Sequence, residues 1–163
     1  MAAASMIDVM SLSVSALCAA AVDADPAGQV DVGGHSLSTI LALDRRSQDA
    51  AGVLLASGTC PGAAIRVAPA PGPQRSVGLL AVWRVGLVVT ADPAAPSAEQ
   101  AATGTPTQRE NRENLRRVAE SGVWSETPAA VTTDGATLTH ADLLRRLDPS
   151  AGPVAIVESL LRY

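Results

Sequence analysis

Side chains able to do imidazole or thiol chemistry are few in this chain: His35, His140, Cys18 and Cys60. His35 is followed at once by Ser36, which suggests a nucleophile beside its base. Neighbours on an extended strand point to opposite faces, however, so the two cannot act together. His140 falls in the first turn of an expected helix, close to Asp142, where a capping-region histidine is the plain reading. Neither imidazole has a nucleophile or orienting group at a recognised spacing, so no residue is assigned a catalytic role, and any chemical role of His35 or His140 stays open. The cysteines show no CxxC or Cys/His ligand spacing. They read as buried free thiols, with neither a disulfide framework nor a metal site.

All twelve basic residues are Arg; the sequence contains no Lys. With a net charge of -4 spread along the chain, there is no concentrated cationic surface for phosphate backbones, and nucleic acid is not expected as a partner. Glu110, Arg112, Glu113, Arg116, Arg117 and Glu120 form opposite-charge pairs at i,i+3 and i,i+4, the pattern of a solvated helix face.

The elements that must position these residues follow from hydrophobic period and from Gly and Pro punctuation. Met6, Val9, Met10, Val14, Leu17 and Ala21 predict a helix over 5–22 that ends near Asp25-Pro26. "QVDVGGHSLS" predicts two short strands about a Gly33-Gly34 turn. Residues 39–57 read as a helix with Gly58 at its C-terminal end, and "AIRVAP" as a strand. "PQRSVGLLAVWRV" reads as a helix with Pro73 in its first turn and Gly86 as its stop, with Trp83 on the core side. The β-branched "LVVTA" then suits a strand buried on both faces, which would set this unit in the centre of a sheet.

Residues 93–108 lack periodicity and are expected to form a mobile loop. A charged helix is expected over 109–122, with Trp124 in the connection after it. A strand near 129–133, a helix from Thr139 and a final strand at 153–157 complete the series. Helices alternating with short apolar strands imply an α/β fold, a doubly wound, mainly parallel sheet with helices on both faces and a small N-terminal hairpin. Candidate parallel strands lie at 64–68, 87–91, 129–133 and 153–157.

At 163 residues the chain is expected to be one domain, residues 1–163, that buries roughly two-thirds of its unfolded surface. Its core must be built from Ala, Val and Leu, because the only aromatic residues are Trp83, Trp124 and Tyr163. "MSLSVSALCAAAVDA" has the apolar centre of an export signal, but Asp8 stands where a positive charge belongs, and Leu17 precedes Cys18 where a lipoprotein cleavage site needs a small residue. A cytoplasmic protein with no membrane partner is expected, since no apolar run reaches the length of a bilayer span.

"LAVWRVGLVVTADPAAP", residues 80–96, resembles a segment of the adenylate-forming superfamily, the adenylation domains of nonribosomal peptide synthetases and their acyl-CoA ligase relatives. There an apolar helix ends in a basic residue and Gly, followed by a strand and Asp-Pro. "ALDRRSQDAAGVLLASGTCPG", residues 42–62, is similar to the family's preceding helix and turn, and "AAAVDADPAGQVDVGGHSLS" to its opening; "NLRRVAESG" resembles the helix that follows. "LSTILAL" departs from the family's "LTYAEL" by lacking its Tyr and Glu.

The resemblance implies the first part of an adenylation domain. It also implies a phosphate loop ending in Pro-Lys-Gly, a later acidic metal ligand and a C-terminal Lys, and a chain without Lys can supply neither lysine. "LLASGTCPG" at 54–62 and "TGTPTQRE" at 103–110 imitate a phosphate loop, but neither has the strand-to-helix setting such a loop needs. The expectation is therefore a non-catalytic protein without cofactor or metal. It would act as a structural or interaction component of natural-product assembly, bound to a synthetase, carrier protein or tailoring enzyme, or to itself. The other readings are a small enzyme or ligand-binding protein that uses the crevice at the carboxyl ends of the strands, and a fragment of a longer adenylating enzyme.

Overall fold

The computed structural model describes residues 14–60, 62–101, 107, 109, 110, 113, 128–132 and 134–163. Helix α1 spans Val14–Ala24 and carries Val14, Leu17, Cys18 and Ala21 on its buried side, as the helical spacing requires. The part of the expected helix at 5–13 lies outside the described residues, as do Trp124 and most of 109–122.

A hairpin follows, β1 (Gln29–Gly33) and β2 (Ser36–Thr39), paired antiparallel. Its turn residues are Gly34 and His35 rather than Gly33 and Gly34. Both have positive φ, 61° and 62°, the requirement of a tight two-residue hairpin loop, and His is among the residues that accept this region more readily than most. Gly33 has a separate duty. A Cβ there would stand 2.8 Å from the backbone nitrogen of Gly72, so the hairpin approaches the loop before the next buried helix backbone to backbone.

Helix α2 (Ile40–Ala56) begins where the Thr39 hydroxyl accepts the Ala42 N–H at 3.2 Å, and ends at Ser57 with Gly58 beyond it at φ 79°. Strand β3 (Ala64–Ile65) leads to helix α3 (Pro73–Arg84), which has Pro at its first position, and then to β4 (Val88–Val89). All eleven residues from Leu79 to Val89 are buried. The helix is therefore covered on more than one face, packed on α1, α2 and β4, which is the setting of a helix apolar nearly all round.

A short helix α4 (Ala98–Ala101) lies within the segment expected as a loop. Strands β5 (Pro128–Val131) and β6 (Thr137–Thr139), helix α5 (His140–Arg145), a 3-10 turn at Pro149–Ala151 and helix α6 (Pro153–Leu160) complete the described chain. The larger sheet has the order β3-β4-β5-β6, parallel across its first two pairings and antiparallel in the last. It is an α/β fold with a mainly parallel sheet and a separate N-terminal hairpin. β4 lies between β3 and β5, the central place that its β-branched run implies.

One expected strand is a helix. Residues 153–157 belong to α6, and the fourth strand is the unexpected β6. Gly152, at φ 87°, turns the chain, and Pro153 supplies a ready helical φ at the first position. Ile156, Val157 and Leu160 then fall on one face, which packs against α1 and β1. The β-branched composition of the segment is overruled by that packing.

The core is one cluster of buried apolar side chains from Val14 to Leu161. Trp83 is its largest member; its ring lies edge-on to Tyr163, with centroids 6.0 Å apart, and its Nε1–H donates to the Ala129 carbonyl at 3.0 Å. His140 is also fully buried. Its Nδ1 accepts the Val14 N–H at 3.2 Å across 126 residues, so the proton of the neutral ring sits on Nε2, which has no partner. Burial disfavours the charged ring and pulls its pKa down to about 4.

Trp83→Ala should cost roughly 3–5 kcal/mol and Trp83→Phe, which strands the Ala129 carbonyl, about 1–3 kcal/mol. Exposed Glu113→Ala should barely move the melting midpoint. Thermal unfolding of the three variants tests this; equal shifts for Trp83→Ala and Glu113→Ala would refute it. His140 gives a second expectation. Because its folded pKa is depressed, the unfolded chain binds the extra proton, and stability falls as pH drops from about 6.5 towards 4, with a slope approaching 1.4 kcal/mol per pH unit. Asp134, Asp142 and Asp148, held below the usual carboxylate range by hydrogen bonds, lose their contributions only at lower pH. Replacing His140 with Asn, which offers an acceptor in place of Nδ1 and does not titrate, should flatten the denaturation midpoint between pH 4.5 and 6.5. An unchanged slope would contradict the assignment.

Candidate functional site

Helices α1, α2 and α3 meet around a buried polar cluster. Arg84, at the end of α3, pairs with Asp44 on α2, and its Nε donates to the Ser47 hydroxyl at 3.0 Å. Ser47 in turn donates to the Asp44 carbonyl at 2.8 Å, and Gln48 Nε2 to the second Asp44 carboxylate oxygen at 2.8 Å. Each charged group thus has its partner, the condition under which an ion pair is tolerated in a core. Cys18 of α1 is buried beside this pair. Burial pushes its thiol up to about 11, so it is a packing residue rather than a thiolate nucleophile. No single stretch of sequence connects Asp44 with Arg84. The one available signal is Arg84 itself, a cation inside the run "LLAVWRVGLVV" that must have a counter-charge if the run is buried.

The structure does not bring the other candidates together. His35 and Ser36 are at the hairpin turn and the start of β2, with His35 exposed, while His140 is in the core beneath α1. His140 does not cap its helix: the Thr139 hydroxyl accepts the Asp142 N–H at 3.1 Å, and the Asp142 carboxylate accepts the Thr139 N–H at 2.9 Å. Cys60 corrects the expectation of two buried thiols, being exposed in the turn after α2, where the chain has already left the core. Within 54–62 the backbone serves to end α2, with the Thr59 hydroxyl donating to the Leu54 carbonyl at 2.8 Å. Most of 103–110 lies outside the described residues, as do Arg112, Arg116, Arg117 and Glu120.

What the fold does assemble is a cleft at the carboxyl ends of β3, β4 and β5, where an open parallel sheet splays into loops. A cavity of about 300 Å³ lies there, with Arg66, Thr90 and Thr132 each supplied by the residues just beyond one of the three strands. A second cavity of about 360 Å³ lies between the hairpin and the start of α3. Pro69, Arg75 and Tyr163 line both and so form the wall between them.

The Asp-Pro segment builds one side of this cleft. Asp92 holds the turn by accepting the Ala94 N–H at 2.9 Å on its carboxylate, and the following residues close onto Arg66. Arg66 N–H donates to the Pro96 carbonyl at 2.9 Å, its carbonyl accepts the Ala98 N–H at 2.8 Å, and its Nε donates to the Ala95 carbonyl at 2.6 Å. Arg75 donates from Nη1 to the Ala68 carbonyl at 2.8 Å and from Nη2 to the main-chain oxygen of Tyr163 at 3.1 Å. Burial raises the Tyr163 phenol above its ordinary pKa. Among the described residues no group of three or more His, Cys, Asp or Glu is placed to hold a metal ion, and no helix is long and apolar enough to cross a membrane.

No family model matches the chain, and no curated protein matches it in sequence. Solved structures do match its fold. VinN aligns with a TM-score of 0.55 and 16% identity, over 81% of this chain and 47% of its own. NpsA-ThdA, an artificially fused adenylation-PCP di-domain NRPS from Klebsiella oxytoca, aligns at 0.58 and 15%, over 93% of this chain and 38% of its own. The inhibitor-bound N-terminal domain of FACL13 from Mycobacterium tuberculosis aligns at 0.58 and 13%, over 93% of this chain and 55% of its own. The chain spans about half the length of these structures or less, and its α/β fold is the one they share.

Proposed function

We propose that this chain is a non-adenylating relative of the adenylate-forming enzymes, equivalent to the first part of their large N-terminal portion. In this reading it works in the cytoplasm as a structural or protein-interaction component of natural-product assembly. Its partner is a synthetase, a carrier protein, a tailoring enzyme or a second copy of the chain. The observation that carries the reading is the composition of the carboxyl-end cleft. Among the described residues its polar side chains are Arg66, Arg75, Thr90, Thr132 and Tyr163, with no carboxylate side chain to face a metal-bound triphosphate and no imidazole or thiol. A cleft lined this way suits holding a molecule better than transferring a phosphoryl or acyl group. The likeness of fold to an adenylation-PCP di-domain supports the setting in peptide assembly.

The protein should give no carboxylate-dependent exchange of pyrophosphate into ATP above a buffer control, while affinity capture from the producing cell followed by light scattering should return a defined complex or an oligomer. Exchange activity that persists through purification would overturn the non-catalytic reading. A strictly monomeric chain recovered without any bound protein would overturn the interaction reading.

A further inference from the structure

The hairpin leaves one strand edge open. Ile40 N–H donates to the Gly28 carbonyl at 2.8 Å, and bonded pairs alternate with unbonded ones along an antiparallel ladder, so Gln29–Thr39 and Asp31–Leu37 are pairs that exchange no hydrogen bonds. The Asp31 N–H accordingly points away from β2, where the Glu158 carboxylate accepts it at 2.8 Å. By the same alternation the Leu37 N–H and C=O point outward from β2, and among the described residues nothing receives them. Strand edges elsewhere are blunted by their own chain: the 96–98 segment bonds both main-chain groups of Arg66 beside β3, and the Asp142 carboxylate accepts the Thr139 N–H of β6. β2 has no such guard. It reads Ser36-Leu37-Ser38-Thr39 without a charge, and Leu37, on the face opposite buried Val30 and Val32, is 69% exposed. An uncharged edge with an apolar side chain in the open is the form that recruits another strand.

We propose that β2 pairs antiparallel with β2 of a second copy about a two-fold axis through Leu37, joining two hairpins into one four-stranded sheet. The strand is complementary to itself in that register. Each Leu37 N–H meets the Leu37 C=O of the other copy, Ser36 stands opposite Ser38, and no like charges are brought together in either pair. On the solvent face the two Leu37 side chains lie next to each other, each with Asp31 of its own copy on the outer side, an apolar centre inside a polar rim. The Asp31 carboxylate is already engaged, accepting the Gly33 N–H at 2.9 Å. Two four-residue strands bury far less area than a permanent interface does, so the dimer forms and dissociates readily with concentration. The proposal rests on the interaction reading above and narrows its partner to a second copy.

Sedimentation of the full chain from micromolar to millimolar concentration should show the average mass rising from monomer towards dimer. In a mixture of isotope-labelled and unlabelled chains, filtered NOE spectra should connect Ser36 of one copy with Ser38 of the other, the contact that this register creates. Leu37→Lys, which sets two charges against each other on the axis and removes the apolar pair, should weaken association roughly tenfold. Leu37→Pro, which deletes the outward N–H but none of the hairpin's own bonds, should weaken it as well. Thr137→Lys, at an exposed position of β6, should change it by less than about twofold. Melting curves check that the variants are folded; should neither Leu37 variant fold, the NOE contact in the wild-type chain decides. A wild-type chain monomeric over the whole range, a dimer without the Ser36–Ser38 contact, or undiminished association of folded Leu37→Lys would each overturn the proposal. A monomer that brings a different protein out of the cell overturns it and leaves the interaction reading in place, whereas a monomer recovered alone overturns both.

Discussion

The structure depends on carrying one segment, Leu79 to Val89, entirely out of water. A helix and a strand buried together supply much of the apolar area available to a chain with no Phe, but they also take polar atoms into the interior. The Trp83 indole N–H and the Arg84 guanidinium must then find partners inside, and they find them on different sides, Ala129 in the sheet and Asp44 with Ser47 on α2. Those two connections fix α3 between the sheet and the helical layer. A non-directional apolar core of Ala, Val and Leu would allow the helix to slide or rotate; the directional bonds at its last turn select one position.

The same segment explains the cleft. With β4 held in the centre, its continuation through Thr90 to the Asp92-Pro93 turn is aimed back across the end of β3, and the three hydrogen bonds to Arg66 follow from that course. A stretch whose pattern resembles an enzyme family is here a piece of architecture, which orients strands and sets the end of the sheet.

Much of this was legible in the sequence where local physics decides. Thr39, Ser57-Gly58, Pro73 and Gly86 mark their helix boundaries because capping and turn chemistry is a short-range matter. Legibility failed where a distant partner decides. The segment 153–157 reads as a strand by composition and becomes a helix because α1 and β1 offer it a surface, and β6 forms because β5 provides an edge. His140 is placed in the core by Val14, and Asp44 is matched to Arg84 by the packing of two helices. Arg66 draws no attention in "AIRVAP"; its position becomes informative only when the ends of three strands are seen together.

The contacts that close the core are also the longest in sequence. α6 packs on α1 and β1, the Glu158 carboxylate accepts the Asp31 N–H at 2.8 Å across 127 residues, and His140 holds Val14 from nearly as far. During synthesis, α1 and the hairpin therefore emerge long before α6, and the part of their apolar surface that α6 covers stays open until the residues from 140 onward have cleared the ribosome. For that interval the nascent chain carries an apolar face without its last partner, and its dependence on chaperones should be concentrated there.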